Sequence, residues 1–155
     1  MNMDHPIELI AMSDAERDVF IADALVVYRE EMVRTGRWTP DHAQQRVEAI
    51  LKDSPPDRHA AGQRYFRVLG AGETVGGLWL QYDIDVLFVM QITIVAHKRG
   101  QGWGRAAMAA VERMAREQGI RRLGLNVFFN NLAAKHLYES EGYVGILQQM
   151  IKRLD

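Results

Sequence analysis

The segment richest in chemistry is Arg99-Gly100-Gln101-Gly102-Trp103-Gly104, which follows the apolar run Ile92-Thr93-Ile94-Val95 and leads straight into residues of helical period. Glycines let a backbone approach a ligand closely and turn its N–H groups toward it, and a helix N-terminus adds roughly half a positive charge. The arrangement is an anion site that suits a pyrophosphate, and the flanking residues narrow its kind. A phosphate-binding P-loop needs Lys and then Ser or Thr after its last glycine, whereas Arg105-Ala106 follows Gly104. A dinucleotide-binding turn, for NAD or ATP, wants G-x-G-x-x-G and an acidic residue about 20 positions on. The glycines run G-x-G-x-G instead, and residues 121–127 read RRLGLNV. His5, His42, His59, His97 and His136 show no H-x-x-x-H spacing, so surface roles and no metal are expected. The absence of cysteine removes thiolate zinc sites, iron–sulfur clusters, disulfides and a cysteine nucleophile, and fits a reducing cytoplasm.

The elements that must position this loop are legible from periodicity. Pro6 to Ala11 reads as a strand, and Ser13 with Glu16 has capping-box spacing. Asp14 to about Val33 carries an apolar stripe at Ile21, Leu25, Tyr28 and Met32, which predicts a long helix closed by Gly36. Thr39-Pro40 opens a second helix through Leu51, and Asp53 to Gly62 reads as a loop. Tyr65 to Leu69, Val75 to Tyr82 and Val86 to Val95 predict an antiparallel meander turned at GAGE and DID. The helix after the glycine loop runs through Gln118 and is capped by Gly119. Arg122 to Phe128 predicts a strand, Asn131 to Ser140 a short helix stopped by Gly142, and Tyr143 to Leu154 one or two final strands.

Composition bounds the function. A chain of 155 residues, 48% hydrophobic and 25% charged, is expected to form a single α/β domain over residues 1–155 that buries roughly two-thirds of its unfolded surface. Nineteen Lys plus Arg against twenty Asp plus Glu supply no broad positive field, so no nucleic acid and no membrane partner is expected. The N-terminus lacks a basic region followed by an apolar run, and no stretch reaches the roughly 18 apolar residues of a membrane span, which predicts a cytoplasmic protein. The eight methionines are expected to pack the core, and the apolar segment Tyr143 to Ile151 suits a homodimer.

The spacing Arg99-x-x-Gly102-x-Gly104 resembles the acetyl-coenzyme A pyrophosphate loop of the GCN5-related N-acetyltransferase (GNAT) superfamily. Downstream, Asn131-Leu132-Ala133-Ala134-Lys135-His136-Leu137-Tyr138-Glu139-Ser140-Glu141-Gly142-Tyr143 is similar to that family's N-x-x-A-x-x-x-Y-x-x-x-G-[FY] signature. The resemblance in residue pattern spans Ile92 to Tyr143, and the element order before it matches the family's first strand, two helices and meander. Many relatives have proline where this chain has Ala96.

The resemblance implies a mixed, mostly antiparallel sheet splayed between strands 4 and 5 and flanked by helices, with acetyl-CoA as co-substrate wedged in the splay. Carried over residue by residue, Ile92, Thr93 and Ile94 offer backbone groups to the thioester and pantetheine, and Arg99, Gly100, Gln101, Gly102, Trp103, Gly104 and Arg105 hold the pyrophosphate. Asn131 caps the short helix and bonds the pantetheine arm, and Tyr138 is the acid for the departing thiolate. Without cysteine the acetyl group passes directly to a primary amine of a small molecule or protein. Some protein N-terminal acetyltransferases of the family carry glutamate on the fifth strand where this chain has Asn126, a departure that argues against a peptide N-terminus. The acceptor must lose a proton, for which Asp83, Asp85, Glu31 or a water chain are the candidates in place of that glutamate, and Asn126 is a candidate substrate contact. The rival expectations are another acyl donor, a non-catalytic acyl-CoA sensor, and a nucleotide-binding module that uses the same loop.

Overall fold

The computed structural model describes residues 5–52 and 62–154, so the loop expected over Asp53 to Gly62 falls, but for its last residue, outside the described residues, as does His59. The elements run β1 (Ile7–Ala11), α1 (Asp14–Arg34), α2 (Pro40–Lys52), β2 (Gln63–Gly70), β3 (Glu73–Tyr82), β4 (Leu87–Ile94), a 3-10 turn (Ala96–Lys98), α3 (Trp103–Glu117), β5 (Leu123–Leu125) and α4 (Leu132–Ser140). They form a mixed α/β fold with one five-stranded sheet in the order β1-β2-β3-β4-β5, antiparallel except where β4 meets β5. The residues group into two compact units, one of 1–21 with 55–126 and the other of 22–54 with 127–155.

In the first unit the meander buries Val68, Val75, Leu78, Leu80 and Leu87 completely. Helix α3 lies on β1 and β4 and buries one stripe, Trp103, Ala107, Met108, Ala110, Val111 and Ala115. Four alanines or valines on that stripe let the helix approach the sheet closely. Gly70 completes the fit, because a Cβ there would overlap the Trp103 ring. The β2–β3 turn places Ala71 and Gly72 both at positive φ, 53° and 79°, the backbone of a two-residue hairpin whose twist matches its strands.

Two irregularities shape the sheet. At the second, Trp79 pairs with Gln91 and Leu80 with Val89, so Met90 is an extra residue bulged out of β4. The parallel ladder to β5 stops at the adjoining pair, Val89 with Leu125. A bulge bends its strand and sharpens its twist, so β4 continues to Ile94 along β3 while parting from β5. The expected strand from Arg122 to Phe128 is accordingly only Leu123–Leu125, since past that point it has no ladder to join. The expected strand or strands within Tyr143 to Leu154 do not form: the described residues of that segment make no ladder, and Val144, Ile146, Leu147 and Met150 are 80% or more exposed. Apolar alternation encodes fitness for a sheet and does not by itself supply a neighbour.

The second unit holds most of α1, α2 and α4. Tyr28 of α1 meets Trp38 edge-on at 5.5 Å and Phe128 at 6.0 Å, and Ala43 and Val47 of α2 are buried. The capping box at the start of α1 is reciprocal, with the Ser13 amide donating to Glu16 Oε2 at 2.8 Å and the Glu16 amide to Ser13 Oγ at 3.3 Å. The Ser13 amide, and after it the Ser13 hydroxyl, holds the Glu16 carboxyl below its ordinary value. A depressed carboxyl stabilises the fold above its unfolded pKa, and that contribution is lost as pH falls through the folded value. Ser13→Ala should cost roughly 1 kcal/mol in urea unfolding at pH 7. The gap to wild type should narrow once Glu16 is protonated; a gap independent of pH down to acid would refute the coupling.

Candidate active site

The glycine loop is built as its spacing predicts. Gly100 and Gly102 adopt φ of 71° and 89°, and Gly102 is the N-cap of α3. Successive amides around such a reversal face one concavity and form an anion nest. The first N–H groups of a helix have no intrahelical partner. No side chain caps this one, and its first turn contains no acidic residue. Helix α1, by contrast, has Asp14 and Glu16 there, and α2 has Asp41. Helix α4 also lacks a first-turn acid but is capped by the Asn131 side chain, so α3 has neither a carboxylate in its first turn nor a side-chain cap at its positive end. A Cβ at Gly100 would meet nothing within 4 Å, so the cradle is open on that side.

Strand β4 delivers a second set of backbone groups. Val95 N–H donates to the Val75 carbonyl at 2.9 Å, which fixes the phase of the antiparallel ladder. Alternation then turns the polar groups of Thr93 toward β3 and those of Ile92 and Ile94 away from it, to the side that β5 has vacated. The Ile94 carbonyl is met there by Arg99 Nε at 2.9 Å. Of the three strand residues expected to present backbone groups, Ile92 and Ile94 have the facing for it; Thr93 faces β3, and its hydroxyl accepts from Gln91 Nε2 at 3.2 Å. Arg99 braces the loop against the strand end, and the Gln101 side chain ties it to the His97 carbonyl at 2.8 Å.

His5, half-buried, makes a contact that sequence reasoning did not foresee. Expected at the surface, it stacks on Trp103 with ring centroids 4.2 Å apart and bonds the Gln101 carbonyl at 2.8 Å. A carbonyl only accepts, so Nε2 carries the proton. Ninety-six residues separate the partners, and no local pattern announces such a contact. Trp103 itself is 8% exposed, as a residue that seats α3 on the sheet, and its indole N–H has no partner.

In the second unit Asn131 caps α4, its Oδ1 accepting from the Ala134 amide at 3.2 Å. The helix ends in a Schellman motif: Tyr143 N–H donates to the Tyr138 carbonyl at 3.0 Å and Gly142 N–H to Glu139 at 3.1 Å, with Gly142 at φ 91°. The hydrophobic contact that accompanies this motif is the pair Tyr138–Tyr143, 5.6 Å between rings. The spacing Y-x-x-x-G-Y thus has a mechanical meaning, in which glycine turns the chain and the second tyrosine clamps the first. Tyr138 is buried, and burial pushes its phenol above the ordinary tyrosine value.

Three of the acceptor candidates are engaged by local partners. Glu31 is bonded to Arg34 at 2.6 Å and to Asn130 Nδ2 at 3.4 Å. Asp83 accepts from the Ile84 amide at 2.7 Å, Asp85 pairs with Arg122, and Asn126 is exposed just after β5. A cavity of about 330 Å³ in the second unit is lined by Arg34, Thr35, Phe129, Asn130, Gln148 and Gln149. Among the described residues no three His, Asp or Glu gather as metal ligands, and no helix is long and apolar enough to cross a membrane.

This fold and loop define an acyltransferase of the GNAT class. The family model for the acetyltransferase (GNAT) family matches residues 25–143, and the chain belongs to that family. It is 32% identical over 133 residues to the uncharacterized N-acetyltransferase YycN of Bacillus subtilis, spanning 82% of this chain and 85% of that one. It is 28% identical to YdgE of the same organism, over 92% and 95% of the two chains. The crystal structure of YycN superposes with a TM-score of 0.88 at 29% identity, covering 96% of this chain and 99% of that one. The aminoglycoside N-acetyltransferase AAC(6')-Iy, solved with a CoA-containing bisubstrate analogue, shares the fold at a TM-score of 0.53 and 16% identity, over 97% and 99% of the chains.

Removing the His5 clamp should loosen the loop locally. In His5→Ala, hydrogen exchange of peptides covering 99–106 should speed several-fold, with peptides of α4 unchanged. Equal exchange in both proteins would show that the clamp does not hold the loop.

Proposed function

We propose that this protein transfers the acetyl group of acetyl-CoA directly to a primary amine of a small molecule or protein. The observation that carries the reading is the side of β4 beyond the end of its ladder to β5, beside an uncapped, acid-free helix N-terminus: strand backbone groups facing away from β3, next to a nest of amides, suit an amide-bearing pantetheine arm joined to a pyrophosphate. Gly100 to Arg105 bind the pyrophosphate, Ile92 and Ile94 the pantetheine, and Asn131 donates to the same arm through Nδ2. Family membership, and the CoA complexes of the structural neighbour, support the choice of donor.

In the reaction a neutral amine attacks the thioester carbonyl. The C–N bond forms, an oxyanion develops that a β4 N–H stabilises, and the C–S bond then breaks. Sulfur leaves as thiolate and takes the Tyr138 phenolic proton; the amine nitrogen releases its own proton to water. Burial, by raising the Tyr138 pKa, keeps the acid protonated at neutral pH. The order of events needs no acyl-enzyme, and the chain offers no cysteine to form one.

A thermal-shift series tests the donor. Acetyl-CoA or CoA at about 100 times its Kd should add roughly 2.7 kcal/mol, several degrees for a domain of this size. A shift with NAD or ATP alone would sink the reading. Tyr138→Phe should then lower kcat by about 10²-fold or more with CoA affinity retained. Because the acid stays protonated and the amine must be neutral, wild-type kcat/KM should climb from pH 7 toward pH 10 without a falling limb. Wild type inert toward a broad amine panel, yet shifted by acyl-CoA, would instead indicate a sensor.

A further inference from the structure

His5 lies just ahead of β1, and the register of the sheet decides where it arrives. Ile7 pairs with Gly70, the residue over which the Trp103 ring is seated. The chain before that pair therefore passes beside the same indole, and the His5 ring stacks on it with centroids 4.2 Å and planes 24° apart. From there Nε2 donates to the Gln101 carbonyl at 2.8 Å. The ring also closes on the next residue, since a Cβ at Gly102 would lie 3.4 Å from both Cδ2 and Nε2. All of these residues belong to one compact unit.

The bond to Gln101 bears on the nest through the peptide that follows it. In a planar trans peptide the C=O and the next residue's N–H point to opposite sides of the chain, so holding the Gln101 carbonyl also fixes the direction of the Gly102 N–H. Local sequence does not fix it: Gly102 stands at φ 89°, and glycine populates both signs of φ about as readily, so this peptide can turn over with little strain. On either side the chain is tied down, the Gln101 side chain to the His97 carbonyl at 2.8 Å and the Gly102 carbonyl to Ala106 N–H at 3.1 Å. The carbonyl between them is held by His5, whose ring rests on Trp103, a residue only 8% exposed. We infer that His5 is a positioning residue for diphosphate binding, which selects the peptide orientation in which the Gly102 N–H joins the nest. An N–H already turned toward the anion spares the complex the cost of turning it. The inference rests on the assignment of the nest to the diphosphate of the donor.

Calorimetric titration of CoA and of inorganic diphosphate into wild type, His5→Phe and His5→Gln, each well below its melting temperature, tests the role. Phenylalanine keeps a ring on Trp103 without the donor, and glutamine supplies a donor without the ring. His5→Phe should raise the Kd of both ligands roughly five- to tenfold, the worth of one hydrogen bond, and His5→Gln should return it to within about twofold of wild type. In heteronuclear amide spectra the Gly102 signal should move on addition of either ligand in wild type and His5→Gln and respond weakly in His5→Phe, a signature that a contact serving stability alone would leave unchanged. Wild type provides a check that needs no variant: at pH 8 the imidazole nitrogen shifts should report the Nε2–H tautomer with and without CoA, and an Nδ1–H tautomer overturns the inference. Equal affinities in wild type and His5→Phe overturn it too, as does a loss that His5→Gln shares in full, because the ring and not the bond then matters. Wild type that binds diphosphate but not CoA refutes the donor reading, and the diphosphate titrations then decide the role of His5 alone; wild type that binds neither refutes both.

Discussion

The constraint on which the rest of the first unit depends is a single surplus residue. Met90 bulges from β4 next to the last pair that joins β4 to β5. A sheet in which every backbone group is paired has nothing to offer a ligand. By bending β4 before its ladder to β5 can continue, the bulge leaves alternate residues of a central strand with outward-facing polar groups, a condition normally confined to edges. Such groups cost free energy when buried without a partner, so the gap is stable only if it stays wet or is filled by something with amides of its own. The fold thus creates affinity for an extended, amide-bearing molecule through backbone geometry, with side-chain identity secondary.

The glycine loop answers the other end of the same need. Helix α3 must start where β4 ends, and its stripe of small residues, seated by Trp103 over Gly70, holds it against the sheet. With that face fixed, the helix dipole points out of the strand end, and the two glycines at positive φ gather the amides around it. Arg99, Gln101 and His5 spend their hydrogen bonds on the loop's own carbonyls and neighbours, which rigidifies the nest before any anion arrives. Preorganised donors reduce the ordering cost of binding.

How much of this was legible follows from the range of the interactions involved. Helix caps, glycine stops and the meander are local, and the capping box at Ser13, the turn at Ala71-Gly72 and the caps at Gly119 and Gly142 sit where residue type places them. The bulge was not legible, because LFVMQITI is uniformly strand-like and an extra residue leaves no compositional trace. The length of β5 was overestimated for the same reason: its pattern continues, but its neighbour turns away. His5 was missed because its partner lies across the whole domain in sequence. The C-terminal strands were misread because apolar alternation states a preference for a neighbour without supplying one, and the described residues of that segment join no ladder.

Tyr138 raises a question of balance that its environment itself resolves. An acid must hold its proton until needed, which burial ensures, yet a phenol above its ordinary value of about 10 is a reluctant donor to a thiolate whose ordinary value is about 8.5. In water that transfer runs uphill. The same desolvation that raises the phenol acts on any anion formed beside it, and a thiolate stripped of water becomes a stronger base. Donor and acceptor therefore rise together, and the match between them is governed by the dryness that they share. The Schellman clamp of Tyr143 on Tyr138 serves this end directly: it fixes the ring by backbone geometry and an apolar contact, adding no polar partner that would favour the phenolate. A second hydrogen-bond donor to the phenol oxygen would pull its pKa down while leaving the thiolate unaffected, so an apolar support is the one that keeps the pair matched.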